Sequence, residues 1–198
     1  STYFSHILST GVGGFITTND SKDAEIMRSL IWHGRDPRYL NIDDNNMDAR
    51  FRFERVGFNY RLTEMEAALG LAEIEKPDII RNRKLRAEHL NHLLEDMGDY
   101  IQLPSVRSQA EHAWMFYPIV VRRHVDRNTF ACYLEENGIE TRPLMPLTNQ
   151  PAYKGLICEE DYPVAKELNR RGLLLPSHSL VSYDDISYIA DKIRGYFK

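Results

Sequence analysis

The chain has 198 residues, 42% of them apolar and 27% charged, which is ordinary globular usage and excludes wholesale disorder. Its 25 lysines and arginines stand against 29 aspartates and glutamates, and a net charge of −4 lacks the basic excess that nucleic-acid binding favours. No apolar run approaches the ~18 residues of a membrane span. Cys132 and Cys158 fit no metal motif, so we expect free thiols in a reducing compartment, the cytoplasm.

The first part of the chain predicts a glycine-rich turn, a short strand and a helix. Residues 9–14 combine small hydroxyl side chains with three glycines, so they form either a plain turn or a nest of N–H groups for an anion. Residues 13–18 predict a strand. Asp20 or Ser21 then begins a helix that Gly34 ends, with its apolar face formed by Ala24, Met27, Leu30 and Ile31.

A polar, aperiodic segment follows at residues 36–55 and predicts a long functional or mobile loop. Its run of oxygen-bearing side chains at residues 43–46 lacks the regular spacing and the closing glutamate of a calcium loop. We therefore predict no metal site there.

Two helices are predicted on either side of Pro77. Thr63 and Glu66 form a capping box at the start of the first. The second runs from about residue 78 to residue 97 and stops at Gly98. Its basic side chains predict a face exposed to solvent, made of Arg81, Arg83, Lys84 and Arg86.

The second half alternates strands with helices, which predicts an α/β layer structure. Three strands are predicted over residues 116–121, 139–142 and 173–175, the last at an edge of the sheet. Three helices are predicted to begin at the Asp126 cap, at Pro163 and at the Ser182 cap. The first part of the chain thus reads as the end of one domain and the second part as a complete small one.

Residues that could carry chemistry are sparse when each is considered alone. The sequence has no Walker loop, no dinucleotide fingerprint and no Gly-x-Ser-x-Gly elbow. Its seven histidines show no spacing typical of metal ligands. His6 lies just before the glycine-rich turn, and the residues alone leave open whether it is structural or catalytic.

Two motifs resemble the DegT/StrS family of pyridoxal-phosphate sugar aminotransferases and related dehydratases. Residues 1–20, STYFSHILSTGVGGFITTND, resemble the family's cofactor-lysine segment, and residues 57–64, GFNYRLTE, resemble its Gly-x-Asn-Tyr-Arg-Met-Thr-Glu signature. Later stretches fit in the same order, at residues 112–114, 138–141, 150–153 and 175–178. The resemblance therefore spans the whole chain.

The resemblance implies an α/β fold, a fragment of the type I aminotransferase-like fold. Residues 1–85 are expected to be the C-terminal portion of the large cofactor-binding domain, and residues 86–198 the small C-terminal α/β domain. Family members run to nearly twice this length. Their N-terminal part carries the phosphate loop and the acidic residue that faces the pyridine nitrogen.

His6 occupies the position of the family's Schiff-base lysine. Imidazole cannot form the stable covalent bond to the cofactor aldehyde that a lysine amine forms. A subgroup with histidine at this position consists of 3-dehydratases of nucleotide-linked 4-keto-6-deoxy sugars, which use pyridoxamine phosphate. The resemblance implies that His6 takes a proton as the 3-hydroxyl leaves, a task that suits imidazole near neutral pH.

The resemblance also implies roles for three further residues. Ser1 is expected to bind the cofactor phosphate, and Asn59 to reach the cofactor phosphate of the neighbouring subunit of a homodimer. Arg61 is expected to bind the substrate, a nucleotide-linked keto sugar used for deoxy or amino sugars or surface polysaccharide. The cofactor is pyridoxal 5'-phosphate (PLP) or pyridoxamine 5'-phosphate (PMP).

Two departures keep alternatives open. Val12 replaces the glutamate of the family's Gly-Glu-Gly-Gly, and Thr148 stands where many aminotransferases carry a substrate-facing histidine. The chain is therefore either a lysine-less dehydratase type, a sugar aminotransferase with altered or lost activity, or a non-catalytic binding or oligomerisation fragment.

Overall fold

The computed structural model describes residues 1–36, 51–76, 78–145 and 147–198. The chain divides into two units, Ser1–Pro77 and Asp78–Lys198. This division falls earlier than the predicted boundary after residue 85, because the helix that follows Pro77 shares the core of the second unit. Most of the predicted loop at residues 36–55 lies outside the described residues.

The first unit contains two helices, α1 (Ser21–Ile31) and α2 (Glu64–Ile74). Both begin as predicted. The Asp20 side chain accepts the backbone N–H of Lys22 at 2.7 Å, and Thr63 and Glu66 form the capping box of α2. These bonds satisfy N–H groups that have no partner within a helix's first turn.

The prediction of a strand at residues 13–18 is wrong. In the part of this unit that the structure describes, these residues are exposed and pair with no other strand. β-branched residues favour an extended backbone, but a strand also requires a neighbour for its hydrogen bonds. The segment instead forms one wall of a cleft.

The second unit contains an antiparallel sheet of four strands in the order β1-β2-β4-β3. The strands are β1 (Ile101–Gln102), β2 (Tyr117–Val121), β3 (Arg142–Pro143) and β4 (Gly172–Leu175). Leu173 of β4 lies opposite Ile119 on one side, and Leu174 lies opposite Arg142 on the other. The predictions of an edge strand at residues 173–175 and of a strand at residues 139–142 are therefore corrected: β4 is internal, and β3 is shifted to 142–143.

The helices of this unit are α3 (Ile79–Leu93), α4 (Arg127–Glu136), α5 (Pro163–Arg171) and α6 (Tyr183–Phe197). Alternate residues of β2 are buried, as in a strand with one face in the core. The core combines this face with apolar side chains of three helices, including Leu90, Phe130, Leu134, Ile186, Ile189 and Ile193. Asp126 and Ser182 cap α4 and α6 as predicted.

The prediction that the basic face of α3 is exposed to solvent is wrong for two of its arginines. Arg83 is only 6% exposed and donates to backbone carbonyls, and Arg86 donates from Nε to the carbonyl oxygen of Val181 at 2.6 Å. Arg81 is exposed. Turns that carry unsatisfied carbonyls lie against this face, so two of its guanidinium groups are used inside the unit.

None of the helices within the described ranges is long and apolar enough to cross a membrane.

Candidate active site

A cleft of about 990 Å³ lies in the first unit. Its walls are the glycine-rich segment, one face of α1 and the residues just before α2. Two of the predicted site residues, Ser1 and Arg61, line this cleft. Its other lining groups include Val12, Gly13, Gly14, Phe15, Met27, Arg28, Tyr60 and Glu66.

The glycine-rich loop is held from behind by two buried threonines. Thr10 Oγ1 donates to the carbonyl oxygen of Val12 at 2.7 Å and lies 2.7 Å from Thr2 Oγ1. The Thr2 backbone N–H donates to the carbonyl oxygen of Gly13 at 2.9 Å. Gly13 has a φ of 119°, and a Cβ there would lie 2.8 Å from Leu62 Cδ1, so the loop requires glycine at this position.

The loop brings Ser1 and Gly14 together at the cleft. A Cβ on Gly14 would lie 3.4 Å from Ser1 Cα. In the described part of the chain the N–H groups of Gly13 and Gly14 donate to no other group, and the Ser1 hydroxyl is exposed. A hydroxyl beside unused backbone N–H groups is a donor set that suits a phosphate. These residues therefore fit the phosphate end of a pyridoxal cofactor.

His6 does not line the cleft. Its side chain is half-buried, and its ring meets the Tyr3 ring edge-on with centroids 6.3 Å apart. Nδ1 of His6 is buried and has no hydrogen-bond partner among the described residues. Buried ring nitrogens in proteins normally have a hydrogen-bond partner, so the described residues leave Nδ1 of His6 as an unsatisfied polar atom.

The residues before α2 are fixed against the end of α1 by a close crossing of two glycines. A Cβ on Gly57 would lie 2.1 Å from the backbone nitrogen of Gly34. The Phe58 N–H donates to the carbonyl oxygen of Leu30 at 2.7 Å, and the His33 N–H donates to that of Phe58 at 2.8 Å. This crossing sets the position of the Asn-Tyr-Arg motif that follows.

Asn59 and Arg61 contact each other. Arg61 Nε donates to Asn59 Oδ1 at 2.8 Å, and the guanidinium lies over the Trp32 ring at 5.1 Å from its centroid. Asn59 does not line the cleft, whereas Arg61 does. The sequence did not predict Trp32 as a site residue, because no pattern along the chain indicates that the end of α1 meets residue 59.

The cleft has few carboxylate groups among its described lining residues. Val12, which stands at the position that the resemblance gives to a glutamate, lines it with an exposed apolar side chain. Glu66 also lines it, and hydrogen bonds from the side chain and backbone of Thr63 lower the pKa of its carboxyl group. Because that carboxylate accepts bonds from Thr63, it belongs first to the helix cap.

Comparison with known proteins places these features in a family. The sequence profile of the DegT/DnrJ/EryC1/StrS aminotransferase family matches residues 1–194. GDP-perosamine synthase of Caulobacter vibrioides is 32% identical over 187 residues, which cover 92% of this chain and 47% of that protein. GDP-4-keto-6-deoxy-D-mannose 3-dehydratase of Escherichia coli O55:H7 is 26% identical, with coverage of 98% and 53%.

A solved structure shows the same fold. The E. coli GDP-4-keto-6-deoxy-D-mannose 3-dehydratase with bound hydrated PLP superposes with a TM-score of 0.83 at 24% identity, covering 96% of this chain and 52% of that one. The chain spans about half the length of the curated relatives it matches. The predicted α/β fold, a portion of the aminotransferase fold, is thereby confirmed. The chain belongs to the DegT/DnrJ/EryC1/StrS aminotransferase family.

Proposed function

We propose that the protein is a PLP- or PMP-dependent enzyme that acts on a nucleotide-linked keto sugar, as a lysine-less 3-dehydratase with His6 as the base. The observation that carries the proposal is His6 itself. By the resemblance of residues 1–20 to the family's cofactor-lysine segment it stands at the position of the Schiff-base lysine, and its Nδ1 has no partner in the described part of the chain. An imidazole there can exchange a proton but cannot hold the cofactor covalently.

The relatives support the substrate class. Two of them are named for GDP-linked sugars, a perosamine synthase and a 4-keto-6-deoxy-mannose 3-dehydratase. We therefore expect a nucleoside-diphosphate sugar here, used for a deoxy or amino sugar or for a surface polysaccharide. We expect an enzyme that acts on such a sugar nucleotide to work in the cytoplasm.

Some of the proposed site residues bind the cofactor or the substrate, and one transfers a proton. Ser1 Oγ and the N–H groups of Gly13 and Gly14 would hold the cofactor phosphate. When bound, PMP supplies an amine for the keto carbon and a conjugated ring that accepts electrons. The imidazole of His6 would take a proton from carbon and return it to the 3-hydroxyl, which would then leave as water. Arg61 binds the diphosphate of the substrate.

A homodimer forms part of the proposal. On α2 only Gly70 is buried, while Met65, Leu69, Leu71 and Ile74 are all more than half exposed. Exposed apolar side chains of this kind, which surround the helix, favour association. We expect a homodimer in which Asn59 of one subunit approaches the cofactor pocket of the other, as the family resemblance implies.

The test uses the complete gene product. The protein is incubated with PLP, reduced with borohydride and mapped by peptide mass. No pyridoxyl adduct is expected on the peptide that contains His6, and His6→Asn is expected to lose at least ~100-fold of the PMP-dependent dehydration of a GDP-linked 4-keto-6-deoxy sugar. An adduct on that peptide, or full activity of His6→Asn, would refute the assignment.

A sugar aminotransferase is the second candidate, favoured by the 32% identity to GDP-perosamine synthase. The two reactions differ in their products. Transamination places nitrogen on the sugar, whereas 3-dehydration removes the 3-hydroxyl. Mass spectrometry of the sugar product with ¹⁵N-glutamate as donor therefore separates them, and absence of both turnover and cofactor binding would favour the non-catalytic alternative.

A further inference from the structure

We propose that Trp32 is a positioning residue for Arg61, holding its guanidinium so that both terminal nitrogens face a diphosphate in the cleft. The inference rests on the proposed function for the ligand class. It adds a residue whose role neither the family motif nor the relatives suggest.

Trp32 lies where the end of α1 meets the segment before α2. It caps the C-terminus of α1, and its backbone forms an isolated antiparallel bridge with Asn59. Its ring lies beneath the Arg61 guanidinium at 5.1 Å, a distance within the range of cation–π attraction. The same backbone bridge thus places the ring on one side of Arg61 and the amide of Asn59 beside it.

One of the three guanidinium nitrogens of Arg61 has a hydrogen-bond partner among the described residues. Nε is used, because it donates to Asn59 Oδ1 at 2.8 Å. Among the described residues the two terminal nitrogens of Arg61 have no hydrogen bond and no ion pair. A planar fork with both ends free matches the paired oxygens of a phosphate group.

Positive charge predominates around the Arg61 guanidinium in the cleft. Arg61 and Arg28 both line the cleft, and Glu66 is already bound to Thr63. The site therefore keeps an uncompensated positive charge. Asn59 fixes the guanidinium at one nitrogen and Trp32 fixes its plane, which lowers the ordering cost when an anion binds.

The experiment measures binding of inorganic pyrophosphate to the complete gene product by titration calorimetry. Trp32→Leu removes the aromatic face and is expected to weaken affinity about two- to fivefold. Trp32→Phe keeps an aromatic face and is expected to stay within about twofold of the wild type. Arg61→Gln is expected to lose about tenfold or more.

Tryptophan emission gives a second readout that a merely structural role would not produce. Pyrophosphate is expected to change the emission of the wild type, and Arg61→Gln, which keeps Trp32, is expected to abolish that change. Phe53→Leu is the matched control, since Phe53 contacts the Arg35 guanidinium at 5.7 Å and does not line the cleft. It should bind pyrophosphate as the wild type does.

Wild-type affinity in Trp32→Leu, or equal losses in Trp32→Leu and Phe53→Leu, would overturn the inference. Failure of the wild type to bind pyrophosphate would overturn it as well. These outcomes are distinguishable from failure of the proposed function, because the His6 peptide map and the dehydration assay do not depend on pyrophosphate binding.

Discussion

Arg83 donates from Nη1 to the carbonyl oxygen of Trp114 at 3.2 Å, and Trp114 has a left-handed backbone with a φ of 50°. A bulky aromatic residue rarely adopts that conformation, which costs about 1–3 kcal/mol. It is held from three sides. Ser177 Oγ donates to the same carbonyl at 3.2 Å, and the Trp114 N–H donates to His112 Nδ1 at 2.9 Å. The strained turn therefore depends on side chains from distant parts of the chain.

Removing this guanidinium should destabilise the second unit. Arg83 Nη1 also donates to the carbonyl oxygens of Met115 at 3.1 Å and Ser177 at 3.3 Å, so Arg83→Met leaves three carbonyls without this donor. We expect a loss of about 2–4 kcal/mol in the free energy of unfolding, measured by urea denaturation. Arg81→Met, on the exposed side of the same helix, is the control and should change it by less than about 0.5 kcal/mol. Equal effects of the two would contradict the assigned role.

The glycine crossing in the first unit gives a second prediction. A Cβ on Gly57 would meet backbone atoms of Gly34 and His33 at 2.1 and 2.4 Å, and backbone cannot move aside as a side chain can. Gly57→Ala should therefore destabilise the unit by more than about 2 kcal/mol and expose residues 29–36 to hydrogen exchange. Gly98→Ala has nothing within 4 Å of its new Cβ and should leave exchange in that region unchanged.

The cap of α6 should make stability depend on pH. Hydrogen bonds from the side chain and backbone of Ser182 hold the pKa of the Asp185 carboxyl below its ordinary value of 3.8. A carboxyl group whose pKa is lower in the folded than in the unfolded state stabilises the folded protein at pH values above its unfolded-state pKa. That contribution is lost as the pH falls through the folded-state pKa. Asp185→Asn should therefore lower the urea midpoint at about pH 6 and flatten its fall below about pH 4. An unchanged slope would show that another group governs acid unfolding.

A lysine at position 6 should allow covalent capture of the cofactor and should abolish the dehydration. His6→Lys introduces an amine at the position where the family carries one, so borohydride should fix PLP on that peptide. Dehydration should be lost, because the proposed base is gone. His92→Lys, on an exposed part of α3, serves as the control for nonspecific labelling. Equal labelling of the two variants would argue against a cofactor site near residue 6.

The exposed apolar side chains of α2 should govern self-association. Leu69 is 55% exposed, and a glutamate there would have to be desolvated in any interface that buries this position. Leu69→Glu should therefore sediment as a monomer at concentrations at which the wild type is a dimer. Leu156→Glu, at a leucine 80% exposed in the second unit, should leave the dimer intact. A dimeric Leu69→Glu would exclude position 69 from the interface.

The sequence by itself determined where the helices begin. Asp20, Thr63, Asp126 and Ser182 were all predicted as caps, and all four begin helices. A cap accepts N–H groups two or three residues further along the chain, so both partners lie in one short segment that the sequence shows directly. The family motifs likewise lie in continuous segments, which is why residues 1–20 and 57–64 pointed to the family that the comparisons show.

The tertiary structure alone decided the features that join distant segments. β4 is an internal strand because β3 pairs with it. Arg83 is buried because it donates to carbonyl oxygens of turns that are distant in the sequence. Ser1 and Arg61 share a cleft, and Trp32 lies under Arg61, only because the end of α1 crosses the chain before α2. Residue spacing along the chain carries no record of such contacts, since each depends on where two separately folded segments meet in space.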